Sequence, residues 1–373
     1  MATQNHPHLF QPLKLNGLRL KNRITMAPLY LGYAGEGGTV TPLLIEHYRR
    51  MGRSGAALIV VENAAVAAEG MGSPRTLRCD HGRFTPGLAR VAAAIHSGKA
   101  LAALQINHAG RFAHAAGPAA PSAVAAFGRT PRELSVREIR AVQRQFAAAA
   151  RRVMAAGFDL VELHGGTGYL LAQFLSPRTN RRGDAYGGPL ANRMRFGLET
   201  LDRVKQAVGE FPVGYRFLAH EWLPDGLDLS ESLPFARALC ENGVAYLSVM
   251  GGTYESFFLP AVVESSKKPG YMVPLAQAVK RHASVPVIAA GRISTPKLAE
   301  AVLEKGKADL IGMARVLWAD PLWVRKARQG RSKEIVACRP ACNACMELVM
   351  KGRPAFCPQW EGKTRERLKG MFR

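Results

Sequence analysis

The chain has 373 residues, of which 47% are hydrophobic and 21% charged, a composition typical of a globular protein with a large core. Its 51 Lys and Arg residues against 28 Asp and Glu residues give a net charge of +23, which favours anionic ligands or partners. The basic residues are dispersed and no apolar stretch approaches the length of a membrane span, so the sequence predicts neither a nucleic-acid groove nor a transmembrane helix.

The first 17 residues lack the basic start and apolar run of a secretory signal, so the sequence predicts a cytoplasmic protein. After them, short apolar segments alternate with longer amphipathic ones. Each short segment is predominantly apolar, as a parallel strand buried on both faces requires. The predicted strands are residues 23–29, 57–65, 101–108, 159–164, 212–217, 245–250, 285–290 and 308–313.

The segments between these strands have the pattern of amphipathic helices. Residues 135–157 begin with Ser135 and Glu138 at the spacing of a capping box. These residues end in glycine, and so do residues 192–209 and 294–306. Eight strand–helix units without a long linker predict an α/β fold, a closed (β/α)₈ TIM barrel over residues 1–335. A doubly wound parallel sheet is the alternative.

Polar and glycine residues gather where the predicted strands end, which is the catalytic face of such a barrel. The loops after the seventh and eighth strands are its usual phosphate site, and each offers a small residue followed by an arginine: Gly291–Arg292 and Ala314–Arg315. The chain has neither G-x-G-x-x-G at the start of a helix nor G-x-x-x-x-G-K-[ST]. The phosphate should therefore belong to a small ligand such as FMN or a sugar phosphate.

The last tenth of the chain contains four cysteines in the spacing C-x₃-C-x₂-C-x₁₁-C. Without a secretory signal, a metal site is a better explanation than disulfides. Four thiolates can close a [4Fe–4S] cube, and they also suit a structural zinc knuckle. The first three cysteines also match the triplet of radical S-adenosylmethionine enzymes, although that triplet follows the first strand of its barrel. The predicted ligands are Cys338, Cys342, Cys345 and Cys357.

Three long motifs resemble the old yellow enzyme flavoproteins. They are LFQPLKLNGLRLKNRITMAP near the start, GYLLAQFLSPRTNRRGDAYGGPLANRMRF in the middle and CNAC with a later cysteine near the end. Within that family the chain is most similar to the branch of 2,4-dienoyl-CoA reductase, 2-enoate reductase and trimethylamine dehydrogenase. The resemblance covers nearly the whole chain and implies FMN in the barrel.

The resemblance also implies which residues hold the flavin. Gln105 would contact the pyrimidine edge of the ring system, and Arg216 would face its N1/O2 side, where a cation stabilises the anionic reduced flavin. The other positions line the flavin, lie beneath it or hold its phosphate: Ala27, Pro28, Leu29, Asn63, Gly291, Arg292, Ala314 and Arg315.

The substrate side departs from the family pattern H-x-x-[HN]-G-Y-L. His164 and Tyr169 match it, but Thr167 stands where relatives carry His or Asn. By resemblance, Tyr169 is the proton donor to an electron-poor enoyl or enone substrate, and His164 orients the substrate oxygen. Tyr254 falls near a catalytic histidine of the dienoyl-CoA reductase and is the second acid candidate.

The branch carries a four-cysteine [4Fe–4S] cluster after the eighth barrel helix, which places this one in residues 336–373. The first gap is two residues in those relatives and three here. The electrons would come from NAD(P)H docking on FMN or from a separate acidic electron-transfer protein. The sequence does not determine the oligomeric state, and a homo-oligomer is one option.

Overall fold

The computed structural model describes residues 6–371. Its centre is a barrel of eight parallel strands, with helices packed around the outside. The barrel strands, numbered here in chain order, are β1 Ile24–Met26, β2 Leu58–Ala65, β3 Leu101–Asn107, β4 Leu160–Gly165, β5 Val213–His220, β6 Leu247–Gly251, β7 Val287–Ala289 and β8 Leu310–Met313.

The barrel closes because β1 pairs with both β8 and β2. Every other pair joins strands that are consecutive in the chain, and all are parallel. A short outer strand, Leu77–Arg78, extends the sheet beside β2. The predicted closed (β/α)₈ barrel is therefore confirmed, and the doubly wound sheet is not.

A two-stranded antiparallel hairpin, Leu13–Leu15 with Leu18–Leu20, packs under the amino-terminal ends of the barrel strands. Its turn residues Asn16 and Gly17 both have positive φ, 42° and 82°, as a two-residue hairpin turn requires. Its buried leucines form one cluster with the first residues of the barrel strands. The barrel is thus filled and closed at this end, which leaves the opposite end for a site.

Each strand is followed by at least one helix, and the helices pack their apolar faces on the barrel. The longer helices are Pro42–Gly52, Thr85–His96, Val136–Ala155, Leu190–Val208, Leu229–Glu241, Val273–Lys280 and Pro296–Glu304. The shorter ones are Leu170–Leu175, Pro260–Ser266, Arg315–Ala319, Trp323–Arg328, Ala344–Met350 and Gly362–Gly370. The single 3₁₀ turns are Glu36–Gly38, Ala68–Gly70, Gly82–Phe84, Gly110–Phe112, Ser256–Phe258 and Ser332–Glu334. A small parallel sheet pairs Ala119–Ala120 with Arg132–Glu133.

The ends of some elements differ from the sequence prediction. The capping box of Ser135 and Glu138 is present, but the helix predicted to begin at residue 294 is capped by Thr295, whose hydroxyl accepts from the Leu298 N–H at 3.2 Å. β1 and β7 are shorter than predicted: Ala27 and Ala290 follow them as buried residues outside the strands, and the other predicted end residues are half-buried. Within residues 6–371, no helix is long and apolar enough to cross a membrane.

Residues 336–371 pack against the barrel near the loop after β1 and the helices after β8. The Tyr33 hydroxyl donates to the Ala355 carbonyl, and the Ala355 N–H donates to the Leu31 carbonyl. The Trp360 indole donates to the Trp318 carbonyl at 2.9 Å, and the two rings meet edge to face. This segment, called the tail below, is therefore anchored by specific contacts on both sides of its last cysteine.

Candidate active site

His164 lies near the end of β4, with 7% of its surface exposed. Burial, and then the neighbouring Arg216, lower the pKa of His164 to about 3, so the ring is neutral at physiological pH. Its Nδ1 accepts the Gly166 N–H at 3.2 Å. The single ring proton therefore sits on Nε2, which can donate a hydrogen bond to a substrate oxygen.

Tyr169 lies in the loop after β4, at the start of helix Leu170–Leu175. Its hydroxyl is 2.8 Å from that of Tyr254, and its ring meets the His164 ring edge to face with 5.0 Å between centroids. Burial raises the pKa of both tyrosines, that of Tyr169 well above 10. Both phenols therefore keep their protons at neutral pH and can act as acids. The loops after β4 and β6 bring these two candidates together.

Thr167 lies in the loop between His164 and Tyr169, with a positive φ of 60°. Its hydroxyl donates to the Met250 sulfur at 3.6 Å, a weak acceptor that a substrate oxygen could replace. His164, Thr167, Tyr169 and Tyr254 thus form one group at the carboxyl end of the barrel.

The interior of the barrel contains a polar network that begins at Gln105 on β3. Its amide nitrogen donates to Glu162 at 2.7 Å, and the other Glu162 oxygen accepts from the Tyr246 hydroxyl at 2.8 Å. All three side chains are buried. Because the amide nitrogen of Gln105 is bound in this way, its amide oxygen is the atom left to accept from a ligand N–H.

Arg216 lies on β5 between His164 on β4 and Ser248 on β6, in register with both. It donates to the Ser248 hydroxyl at 2.7 Å. Burial lowers the pKa of this arginine, while Glu162 raises it. The half-buried Arg216 guanidinium, oriented by the Ser248 hydroxyl, is a cation suited to an anionic ligand atom.

The remaining predicted flavin contacts lie at the ends of β1 and β2. Ala27 is buried, and its N–H donates to the Met313 carbonyl at 3.1 Å, while Pro28 and Leu29 are half-buried. Asn63 on β2 is 8% exposed. Nearby, the Tyr30 hydroxyl lies 2.6 Å from that of Ser73, and burial raises the pKa of Tyr30 to about 12.

The predicted phosphate residues follow β7 and β8. Gly291 has a φ of +98°, and a Cβ placed on it would come within 2.8 Å of Met272, so only glycine fits this close approach. Arg292 donates to the Ser266 and Pro340 carbonyls and buries its Nη1 without a partner. Burial lowers the pKa of Arg292, and Arg315 lowers it further. Two guanidinium groups that repel each other beside a glycine backbone are suited to an anion.

All four tail cysteines line one pocket, together with Arg315, Trp318 and Ala319 of the helix after β8. None of the four forms a disulfide. Burial raises the pKa of Cys345, and Arg315 opposes that shift. Among residues 6–371, no group of three or more His, Cys, Asp or Glu side chains is arranged to hold a single metal ion. Arg315 thus lies between the candidate phosphate site and the cysteine pocket.

Several contributors were missing from the sequence prediction. Glu162 and Tyr246 fix Gln105, Ser248 fixes Arg216, and Phe112 packs edge to face on both Tyr169 and Tyr254. One available signal was Glu162, a charged residue two positions before His164 in an otherwise apolar strand.

Known proteins resemble this chain over most of its length. The profile of the NADH:flavin oxidoreductase / NADH oxidase family matches residues 8–334. The chain is 41% identical over 347 residues to an NADH oxidase of Thermoanaerobacter brockii, covering 90% of this chain and 53% of that protein. It is 42% identical over 356 residues to a metal reductase of Desulforamulus reducens, covering 94% of this chain and 53% of that protein.

This chain therefore spans about half the length of these two curated relatives. A solved structure of 2-naphthoyl-CoA reductase with 2-naphthoyl-CoA is similar at a TM-score of 0.92 and 27% identity, over 98% of this chain and 58% of that one. Because the family profile covers most of the barrel, the chain belongs to the NADH:flavin oxidoreductase / NADH oxidase family of FMN-dependent oxidoreductases.

Proposed function

We propose that this barrel binds FMN and reduces the activated C=C bond of an electron-poor enoyl or enone substrate. The observation that carries the proposal is the pairing of a neutral, buried His164 with a protonated Tyr169, their rings 5.0 Å apart. One group can polarise a carbonyl and the other can protonate carbon. The similarity to 2-naphthoyl-CoA reductase supports an unsaturated acyl substrate.

The residues fit FMN at three separate places. The amide oxygen of Gln105 suits a ring N–H, the half-buried cation of Arg216 suits the N1/O2 side, and the cradle of Gly291, Arg292 and Arg315 suits the phosphate. Bound FMN, reduced by NAD(P)H, supplies the hydride. Ala27, Pro28, Leu29, Asn63 and Ala314 complete the proposed binding surface.

The side chains of the protein would polarise the substrate and supply the proton. The Nε2–H of His164 donates to the carbonyl oxygen, with the Thr167 hydroxyl as a second donor, and so draws electron density from the conjugated double bond. Tyr169 gives its phenolic proton to the α-carbon while the hydride adds to the β-carbon, so two C–H bonds replace one π bond. Tyr254, at 2.8 Å, can donate to the phenolate that remains.

Arg216 offers a test of the flavin assignment. In an Arg216→Ala variant, we expect a lower flavin reduction potential and weaker FMN retention, because a cation near N1 stabilises the anionic reduced flavin. The FMN content and the potential of the purified protein measure both effects. A variant with full FMN occupancy and an unchanged potential would contradict this placement.

We also propose that Cys338, Cys342, Cys345 and Cys357 bind one [4Fe–4S] cluster in their shared pocket. A cube takes one thiolate at each of four irons, whereas zinc needs four sulfurs about 2.3 Å from one point. Arg315 in the pocket wall suits a cluster of net negative charge. A fourth cysteine also closes the iron that a radical S-adenosylmethionine enzyme keeps open.

Such a cluster would pass single electrons between FMN and an acidic electron-transfer protein, with direct reduction by NAD(P)H as the second route. The tail favours an acidic partner, since residues 336–371 contain seven Lys and Arg against three Glu. The basic residues Arg339, Lys351 and Arg353, which lie between the cysteines in the sequence, are exposed. Coupling to such a carrier should weaken as the salt concentration rises.

A further inference from the structure

A chain of aromatic rings leads from the candidate catalytic tyrosines to the protein surface. The Phe112 ring lies 5.3 Å from that of Tyr254 and 6.5 Å from that of Tyr169, measured between centroids. The Phe112 ring is also 5.6 Å from the Phe127 ring, measured between centroids. Phe127 is the outer end of this chain, with 64% of its surface exposed. A ring at this exposure contributes little to the core, and its outer face is open to a ligand.

The backbone at Phe127 adopts an unfavourable conformation. Phe127 and Gly128 have φ values of +49° and +74°, and Ala126 and Arg129 exchange backbone hydrogen bonds of 2.9 and 3.0 Å. This is a two-residue hairpin turn with both central residues at positive φ, for which Asn-Gly is preferred. A phenylalanine there is strained, and such strain concentrates at functional sites.

The turn is also held in place by two arginines. Arg129 donates to the Ala113 carbonyl at 3.0 Å and to the next alanine carbonyls of the same loop, and Arg111 donates to the Ala125 carbonyl at 3.3 Å. Arg111 is itself buried and paired with Glu255, the residue after Tyr254. The turn that presents Phe127 is thus tied through Arg111 to the loop after β6, which carries Tyr254.

We propose that Phe127 is a substrate-binding residue, which packs on a flat aromatic or apolar extension of the substrate beyond its reacting double bond. This inference rests on the proposed function and names its substrate class: an enone or enoyl compound with an aryl-sized substituent. The exposed ring, the strained turn and the ring contacts through Phe112 each support it. A bound substrate would cover the ring, and the free energy of that contact would offset the backbone strain.

The test uses the oxidised holoenzyme and two enones, (E)-4-phenylbut-3-en-2-one and 2-cyclohexen-1-one. Binding is followed through the change in the flavin absorption spectrum, which requires no turnover. In Phe127→Asn, we expect the Kd of the phenyl enone to rise about tenfold, which equals about 1.4 kcal/mol, and that of cyclohexenone to stay within twofold. The Tm of this variant should equal or exceed that of the wild type, because Asn suits the turn.

A Phe127→Tyr variant is the matched control, since it keeps the ring and should keep the affinity for the phenyl enone. Three results would overturn the proposal: no binding of the phenyl enone by the wild type, equal weakening for both enones, or an Asn variant of unchanged affinity. Failure of the proposed function looks different, because the reduced flavin would then stay reduced with either enone whatever residue stands at position 127.

Discussion

In a Tyr169→Phe variant, the reduced flavin should be reoxidised by an enone 10²- to 10⁴-fold more slowly than in the wild type, the loss expected for a missing general acid. That range corresponds to roughly 3–5 kcal/mol of activation free energy. The phenol is buried and protonated, and Phe keeps the ring contacts with His164 and Phe112. Flavin reduction by NAD(P)H should be unchanged, since it needs no proton from this residue.

The two half-reactions are separated by anaerobic stopped-flow mixing, with Tyr254→Phe as the matched control. This control removes the hydroxyl that lies 2.8 Å from Tyr169 without removing the proposed acid, so we expect a smaller effect. If Tyr254→Phe loses the reoxidation rate and Tyr169→Phe retains it, Tyr254 is the acid and the roles must be exchanged.

The second large effect concerns the tail. Anaerobically prepared wild-type protein should contain about four iron and four acid-labile sulfide per chain, and a Cys345→Ala variant should contain almost none. Cys345 is one of four thiols in the shared pocket and is half-buried there. Iron and sulfide assays, with electron paramagnetic resonance after reduction, make the measurement.

Cys240→Ala provides the control, because Cys240 is half-buried in a barrel helix and does not line the pocket. It should keep its full iron and sulfide. Stoichiometric zinc without sulfide in the wild type would refute the cube and leave the tail as a structural clip on the flavin barrel.

The barrel was predictable because its strands are predominantly apolar and their ends are marked by polar residues. The same pattern placed Gly291 and Arg292 at one strand end, and the structure gives Gly291 a backbone that excludes any side chain. The spacing of the cysteines predicted one shared site, and all four line one pocket. These features depend on strand order and local spacing, which a sequence contains.

Other features depend on how separate loops meet, which local patterns do not contain. The hydroxyl contact of Tyr169 with Tyr254 joins residues 85 positions apart in the chain. The neutral state of His164 requires burial and the neighbouring Arg216, which the barrel register places beside it. The strained turn at Phe127 looks like an ordinary loop in the sequence, because positive φ at a phenylalanine has no sequence signal.

The most direct test of the central claim is a single anaerobic turnover of the wild-type enzyme. Reduced holoenzyme is mixed with one equivalent of 2-cyclohexen-1-one, and the flavin spectrum and the organic product are followed together. The proposed function predicts that the flavin is fully reoxidised and that one equivalent of cyclohexanone forms per FMN. A flavin that stays reduced, with the enone recovered unchanged, would contradict it.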